Sequence, residues 1–352
     1  MEKTIIKRKY HLDFLRILAA FLVMVHHSEI MELYHSGTVG FGGSFLLCWM
    51  SCVVVTNVSL FFLISGALLL GKEEPNRVLY GRRIPRFLAL IVIAVTVTYL
   101  FRCFPNLNAR DFFRGLFAGC MDVTHWYLYA YVGFLVTVPF LRRAVRGMTH
   151  TDAIVLVGFR VLLSTLLPVA RYVTTYKGWP EVPFPEAFSV PLATADVLFY
   201  PIIGYYLEHI LPWEKADWKW AALSCVVIAG SSFAGALVTM HEGLRLSFSF
   251  GYLHVAAYAA AMAIFVLVKY LFSRGQTPKR LARILEIASP LTLGVYILEP
   301  VLRPVVKPLL IGWMGEGAGP ILTSLWYCVF GMVTYSAITW VLRKLPGLKR
   351  IL

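Results

Sequence analysis

Apolar stretches long enough to cross a lipid bilayer recur along this chain from end to end, and that recurrence limits its fold before any motif is read. A helix needs about 20 apolar residues to span the hydrocarbon core. Only a structure that pairs its own backbone groups is tolerated there. Such stretches lie near 12–30, 45–70, 87–104, 126–141, 153–170, 195–211, 219–239, 250–272, 289–311 and 321–342. With 59% hydrophobic and 15% charged residues, the chain has too few charges to coat a water-facing surface. The expectation is an all-α, polytopic integral membrane protein of about ten transmembrane helices, forming a single domain over residues 1–352. Nothing resembles a soluble domain or an internal repeat, so an inverted-repeat transporter gains no support.

Charge gives the orientation. Of the 33 Lys and Arg, 23 fall at the segment ends that a cytoplasmic N-terminus puts inside, and 8 fall at the opposite ends. By the positive-inside rule both termini are expected in the cytoplasm. The net charge of +14 is then topogenic. No basic stretch is long enough to form a soluble nucleic-acid module, so no nucleic acid is expected as a partner. The basic run Lys3–Lys9 followed by apolar Ile17–Val25 mimics a secretory signal, but Arg16 interrupts it and no small-x-small site follows. An uncleaved first helix is expected. The six cysteines lack metal-ligand spacing, and no metal is expected. Cys103 and Cys120 share the outer loop between the third and fourth stretches, where an oxidising compartment permits a disulfide.

Ionisable groups inside a span are costly and invite a functional reading. The first stretch carries Asp13, Arg16, His26, His27 and Glu29. Arg16 and His27 are 11 positions apart, within about 20° of three full helical turns, so they share a face some 16 Å apart along the axis. Asp13 can pair with Arg16 from one turn below. Two readings stand: an arginine clamp with an interfacial histidine, or a catalytic pair. The cluster Arg82-Arg83-Ile84-Pro85-Arg86 reads either as topogenic charge or as a phosphate site, since guanidinium forks suit phosphates. Phe61-Phe62-Leu63-Ile64-Ser65-Gly66 places a small pair where backbones can approach. Trp126-Tyr127-Leu128-Tyr129 opens a span where an aromatic belt is ordinary.

Taken in order, these pieces resemble the acyltransferase 3 family of bacterial membrane proteins. The resemblance rests on Leu12-Asp13-Phe14-Leu15-Arg16, on Arg16 and His27 with ten residues between, and on Phe61–Gly66. It continues through Arg82–Arg86, Trp126–Tyr129, Gly204-Tyr205-Tyr206 and Gly294-Val295-Tyr296-Ile297. Two positions depart from the pattern. Glu299-Pro300 stands where the family often has His, and His125 touches Trp126 directly where the family often has one residue between. A one-residue shift rotates a helical side chain by about 100°, so no catalytic role carries over to either position on register.

The resemblance implies a membrane O-acyltransferase that moves an acyl group, most often acetyl from acetyl-CoA, onto a hydroxyl of a carbohydrate, lipid-linked glycan or other cell-envelope molecule. It implies His27 as general base or transient acyl carrier, with Arg16 in support. Arg82, Arg83 and Arg86 would take the CoA phosphates, and Ser65, Trp126, Tyr129, Tyr296 and Glu299 would line the substrate path. Acyl-CoA would be a co-substrate and not a tightly bound cofactor. The expected location is the bacterial plasma membrane. The rival is an exporter of a polar envelope precursor, which would use the same buried Arg and His without consuming acyl-CoA.

Overall fold

The computed structural model describes residues 8–28, 40–117, 123–180, 183–185, 188–242, 257–314 and 319–351. Among these the chain is 85% helix and has no strand. The principal helices are α1 (Tyr10–His26), α2 (Phe41–Val54), α3 (Asn57–Leu69), α4 (Ile84–Cys103), α5 (Ala109–Phe117), α6 (Trp126–Ala144) and α7 (His150–Val161). They continue with α8 (Leu167–Lys177), α9 (Asp196–Tyr205), α10 (Trp218–Glu242), α11 (Ala257–Ser273), α12 (Lys279–Ala288), α13 (Thr292–Met314) and α14 (Pro320–Leu342). Among the described residues, seven helical runs are long and apolar enough to cross a membrane. Glu29 and Cys120 lie outside the described residues.

α1 is the spine of the bundle. Leu15, Ala19 and Met24 are fully buried on it, and it packs against α3, α11, α13 and α14. Outer helices turn large apolar residues such as Val226, Leu309 and Val333 outward. In water those side chains would be a liability; against lipid tails they are solvated.

Helices in lipid associate through close packing and not through a hydrophobic drive, so small residues mark the tightest seams. The seam between α3 and α9 is such a place. A Cβ built on Gly66 would sit 1.9 Å from the carbonyl oxygen of Pro201, and one on Gly204 would sit 2.0 Å from that of Leu63. The Ser-Gly and Gly-Tyr-Tyr motifs thus meet across one seam, and their glycines let two backbones touch.

Three wide π turns, at Leu79–Arg83, Leu162–Leu166 and Tyr206–Ile210, interrupt the helical register. α13 carries Pro300, Pro304 and Pro308 in its interior, four residues apart each time. Charged groups away from the Arg16–His27 face of α1 serve as ties. Arg160, 1% exposed, donates to the carbonyls of Ala193 and Thr194 and pairs with Asp196 at 2.7 Å. Glu208 gathers Lys9, His11 and Lys269 within 3.0 Å.

Candidate active site

α1 carries a polar cluster at each end. At its C-terminal end His27 caps the last turn, and its Nδ1 lies 2.9 Å from Oε2 of Glu299 on α13. Glu299 is 1% exposed and collects three further donors: Arg303 through Nε at 2.7 Å and Nη2 at 2.9 Å, and the Tyr327 hydroxyl of α14 at 2.9 Å. Tyr335 stands 3.2 Å behind Tyr327. A carboxylate only accepts, so His27 donates from Nδ1, and a neutral imidazole then keeps its lone pair on Nε2. That is the tautomer a base requires, with a carboxylate fixing the ring and an arginine fork fixing the carboxylate. His26 packs edge-on to His27 at 5.9 Å between ring centroids.

At the other end Arg16 is locked by its neighbours. Its Nη1 donates to Ser289 Oγ at 2.9 Å, and Ser289 in turn donates to Asp13 at 2.6 Å. The sequence pairing of Asp13 with Arg16 is present but long, at 3.5 Å; Arg8 takes the closer position on Asp13 at 2.6 Å.

Arg16 opens onto a cavity of about 250 Å³. One wall is a single face of α3, with Phe61, Ile64, Ser65, Leu68 and Leu69 following the helical repeat over about 12 Å. Lys72 and Arg83 line the same cavity beyond that face. Tyr127 and Tyr131 of α6, one turn apart, line it from another side, as do Phe87 of α4 and Thr292, Leu293 and Tyr296 of α13. Phe61 and Tyr296 each approach Tyr127 at 5.7 Å between centroids, and the Tyr296 hydroxyl donates to the Thr124 carbonyl. Tyr296 is one helical turn before Glu299, so α13 carries both the cavity wall and the His27 partner.

The expected site residues therefore divide. Arg16, Ser65, Arg83 and Tyr296 line the cavity, while His27 and Glu299 meet one turn further along. Arg82 and Arg86 are exposed and are not among the lining residues. Arg83 is held by Glu74 at 3.0 Å, and the Arg83 hydrogen bond keeps the Glu74 carboxyl below its usual range. Trp126 and Tyr129 also stand off the cavity; Tyr129 ties α6 to the carbonyl of Leu116 on α5. His125 is buried beside Tyr296, with Nε2 3.4 Å from the Ile297 carbonyl.

Sequence reasoning missed Arg303, Tyr327, Lys72, Tyr127 and Tyr131. Two signals were present: Glu299 and Arg303 are four apart, the spacing of a helical ion pair, and Tyr127 and Tyr131 share the same spacing. Nothing in the sequence marks Tyr327.

No curated protein and no solved structure is significantly similar to this chain. A family model does match: the acyltransferase domain of the acyltransferase 3 type aligns with residues 9–344. With its apolar helices and a match over nearly its whole length, the chain is a membrane acyltransferase belonging to the acyltransferase 3 family.

Proposed function

We propose that the protein is an O-acyltransferase of the bacterial plasma membrane, taking acetyl from acetyl-CoA and delivering it to a hydroxyl of a carbohydrate or lipid-linked glycan of the cell envelope. The observation that carries this reading is the His27–Glu299–Arg303 array one turn from a cavity with a basic lining. In this reading Lys72 and Arg83 receive the donor's phosphates, and its pantetheine arm follows the α3 face past Arg16. The acceptor hydroxyl gives its proton to His27 Nε2 as its oxygen attacks the thioester carbonyl. The C–S bond breaks, the imidazolium returns the proton to the CoA thiolate, and the ester and free CoA leave. Glu299 holds the ring and balances the imidazolium. Positioned acid–base catalysis of this kind contributes about 10²–10⁴-fold. A covalent acyl-His27 intermediate is the variant of the same reading.

The topology belongs to this proposal. Seven long helices, together with α1, α11 and the run formed by α9 and its following π turn, make ten spans with both termini in the cytoplasm. The basic end of the cavity then faces the cytoplasmic pool of acyl-CoA, and His27 lies toward the outer face.

The test is release of free CoA from acetyl-CoA by the purified protein, with and without candidate glycans. Glycan-dependent release with ester formation is the expected result. Transport of a glycan without acetyl-CoA consumption would replace this reading with that of an exporter.

A further inference from the structure

α12 is short, charged and apart from the cavity, yet its composition is not that of a water-facing connector. At about 100° per residue its side chains sort into three sectors. Leu281 and Leu285 face the protein, and Leu285 is buried. Lys279 and Arg283 lie within about 40° of one another, and Ile284 and Ile287 within about 60°. Ile284 and Ile287 are 59% and 55% exposed. Arg280 falls inside the isoleucine sector, between Ile287 and Ile284.

The contacts at the two ends fix how the helix lies. Near its start, Leu281 shares a small pocket with Leu271 and Phe272 at the end of α11, and Phe272 packs on Phe14 of α1. At its finish, Ser289 bonds to Asp13 of α1. These contacts set α12 beside the first turns of α1 and the end of α11; Pro290, in the 3-10 turn Ser289–Leu291, sits at the junction with α13. Between these ends, Glu286 accepts from the Tyr10 hydroxyl at the first residue of α1. On the topology proposed above, a helix beside the first turn of α1 lies at the membrane boundary, with water on one flank and acyl chains on the other. Exposed isoleucines flanked by cations suit that boundary, because long basic side chains extend from an apolar bed to the phosphate layer.

We propose that α12 is a docking surface for anionic phospholipid, with Ile284 and Ile287 seated among the acyl chains and Lys279, Arg280 and Arg283 holding headgroup phosphates. The partner is committed by charge: the helix presents three cations beside its apolar strip, and the one acid among its residues, Glu286, is engaged by Tyr10. Because Ser289 follows directly and also receives Arg16, the lipid contact braces the floor of the cavity.

The test is hydrogen exchange of the α12 amides, with lipid retention, for the full-length protein in nanodiscs. The discs contain phosphatidylcholine alone or phosphatidylcholine mixed with phosphatidylglycerol. Slower α12 exchange and enrichment of bound phosphatidylglycerol are expected in the mixed discs, with both effects reduced by high salt. Each cation near an anionic surface is worth about fivefold in binding, so Arg280→Gln with Arg283→Gln should cut the preference roughly thirtyfold. Both residues are exposed, so the double variant should keep the fold. Equal protection in the two kinds of disc would reduce α12 to an apolar anchor and overturn the proposal. So would an unchanged phosphatidylglycerol preference in the double variant.

Discussion

Replacing Glu299 by Gln keeps the shape of the buried side chain and removes its ability to accept at both ends. Glu299 accepts four hydrogen bonds, from His27, from two nitrogens of Arg303 and from Tyr327. A glutamine has one oxygen to offer. Oε1 faces Arg303 Nε and Tyr327, and Oε2 faces His27 and Arg303 Nη2, so the amide oxygen is drawn to the first position and its NH₂ turns to His27. The imidazole must then accept at Nδ1 and carry its proton on Nε2, the tautomer that cannot act as a base. The expected loss in kcat is therefore the full worth of the base, about 10²–10⁴-fold, with KM for acetyl-CoA little changed, since Glu299 does not line the cavity. The stability cost is smaller, about 1–3 kcal/mol for unpaired buried donors, because Arg303 is partly exposed and keeps access to other partners. The assay is steady-state acyl transfer per folded molecule, with thermal unfolding in detergent measured beside it. A well-folded Glu299→Gln protein with turnover within a factor of a few of wild type would refute the assignment of His27 as a base oriented by Glu299.

His27→Ala should lose turnover by a similar factor while inserting normally, whereas His26→Ala should be mild; equal losses at the two positions would place the chemistry elsewhere. Arg83→Ala should raise KM for acetyl-CoA by about tenfold, the scale of one charge-assisted hydrogen bond, and Glu74→Gln should lower it by releasing Arg83. The Glu74 carboxyl is held below its usual range by Arg83, so the tie is complete at neutral pH and is lost only as pH falls through that lowered value. The KM effect of Glu74→Gln should therefore be present at neutral pH and shrink in acid; an effect that does not change with pH would point away from Arg83. Gly66→Ala forces a methyl against the Pro201 backbone, which no rotamer change relieves. It should destabilise by about 3 kcal/mol or more, read as loss of folded protein in membranes, and normal abundance would mean the α3–α9 seam is looser than described.

The long apolar helices were legible because their signal is length and apolarity, which need no partner. The seven long helices fall on stretches read directly from the sequence. What was not legible depends on which face a residue takes. Arg82, Arg83 and Arg86 read as one cluster, but the π turn at Leu79–Arg83 changes the local register and only Arg83 lines the cavity. In the Trp126–Tyr129 motif the unemphasised Tyr127 lines the cavity, while Tyr129 ties down α5. Glu299 could not be paired with His27 because 272 positions separate them. Its departure from the family pattern left it an expected lining residue only, whereas its hydrogen bonds engage it directly with His27.

The prolines of α13 give the Glu299–Arg303 pair a mechanical meaning. Pro300, Pro304 and Pro308 each remove one rung from the helix ladder, so the segment around Glu299 is the part of α13 most able to bend. The Arg303 fork on Glu299 closes a loop of four residues across that weakened stretch and works as an external splint. Stiffness of the helix and alignment of the imidazole are thus two readings of one joint. When the splint opens, the first sign should be faster amide exchange at Val301–Arg303, appearing before any measurable loss of fold.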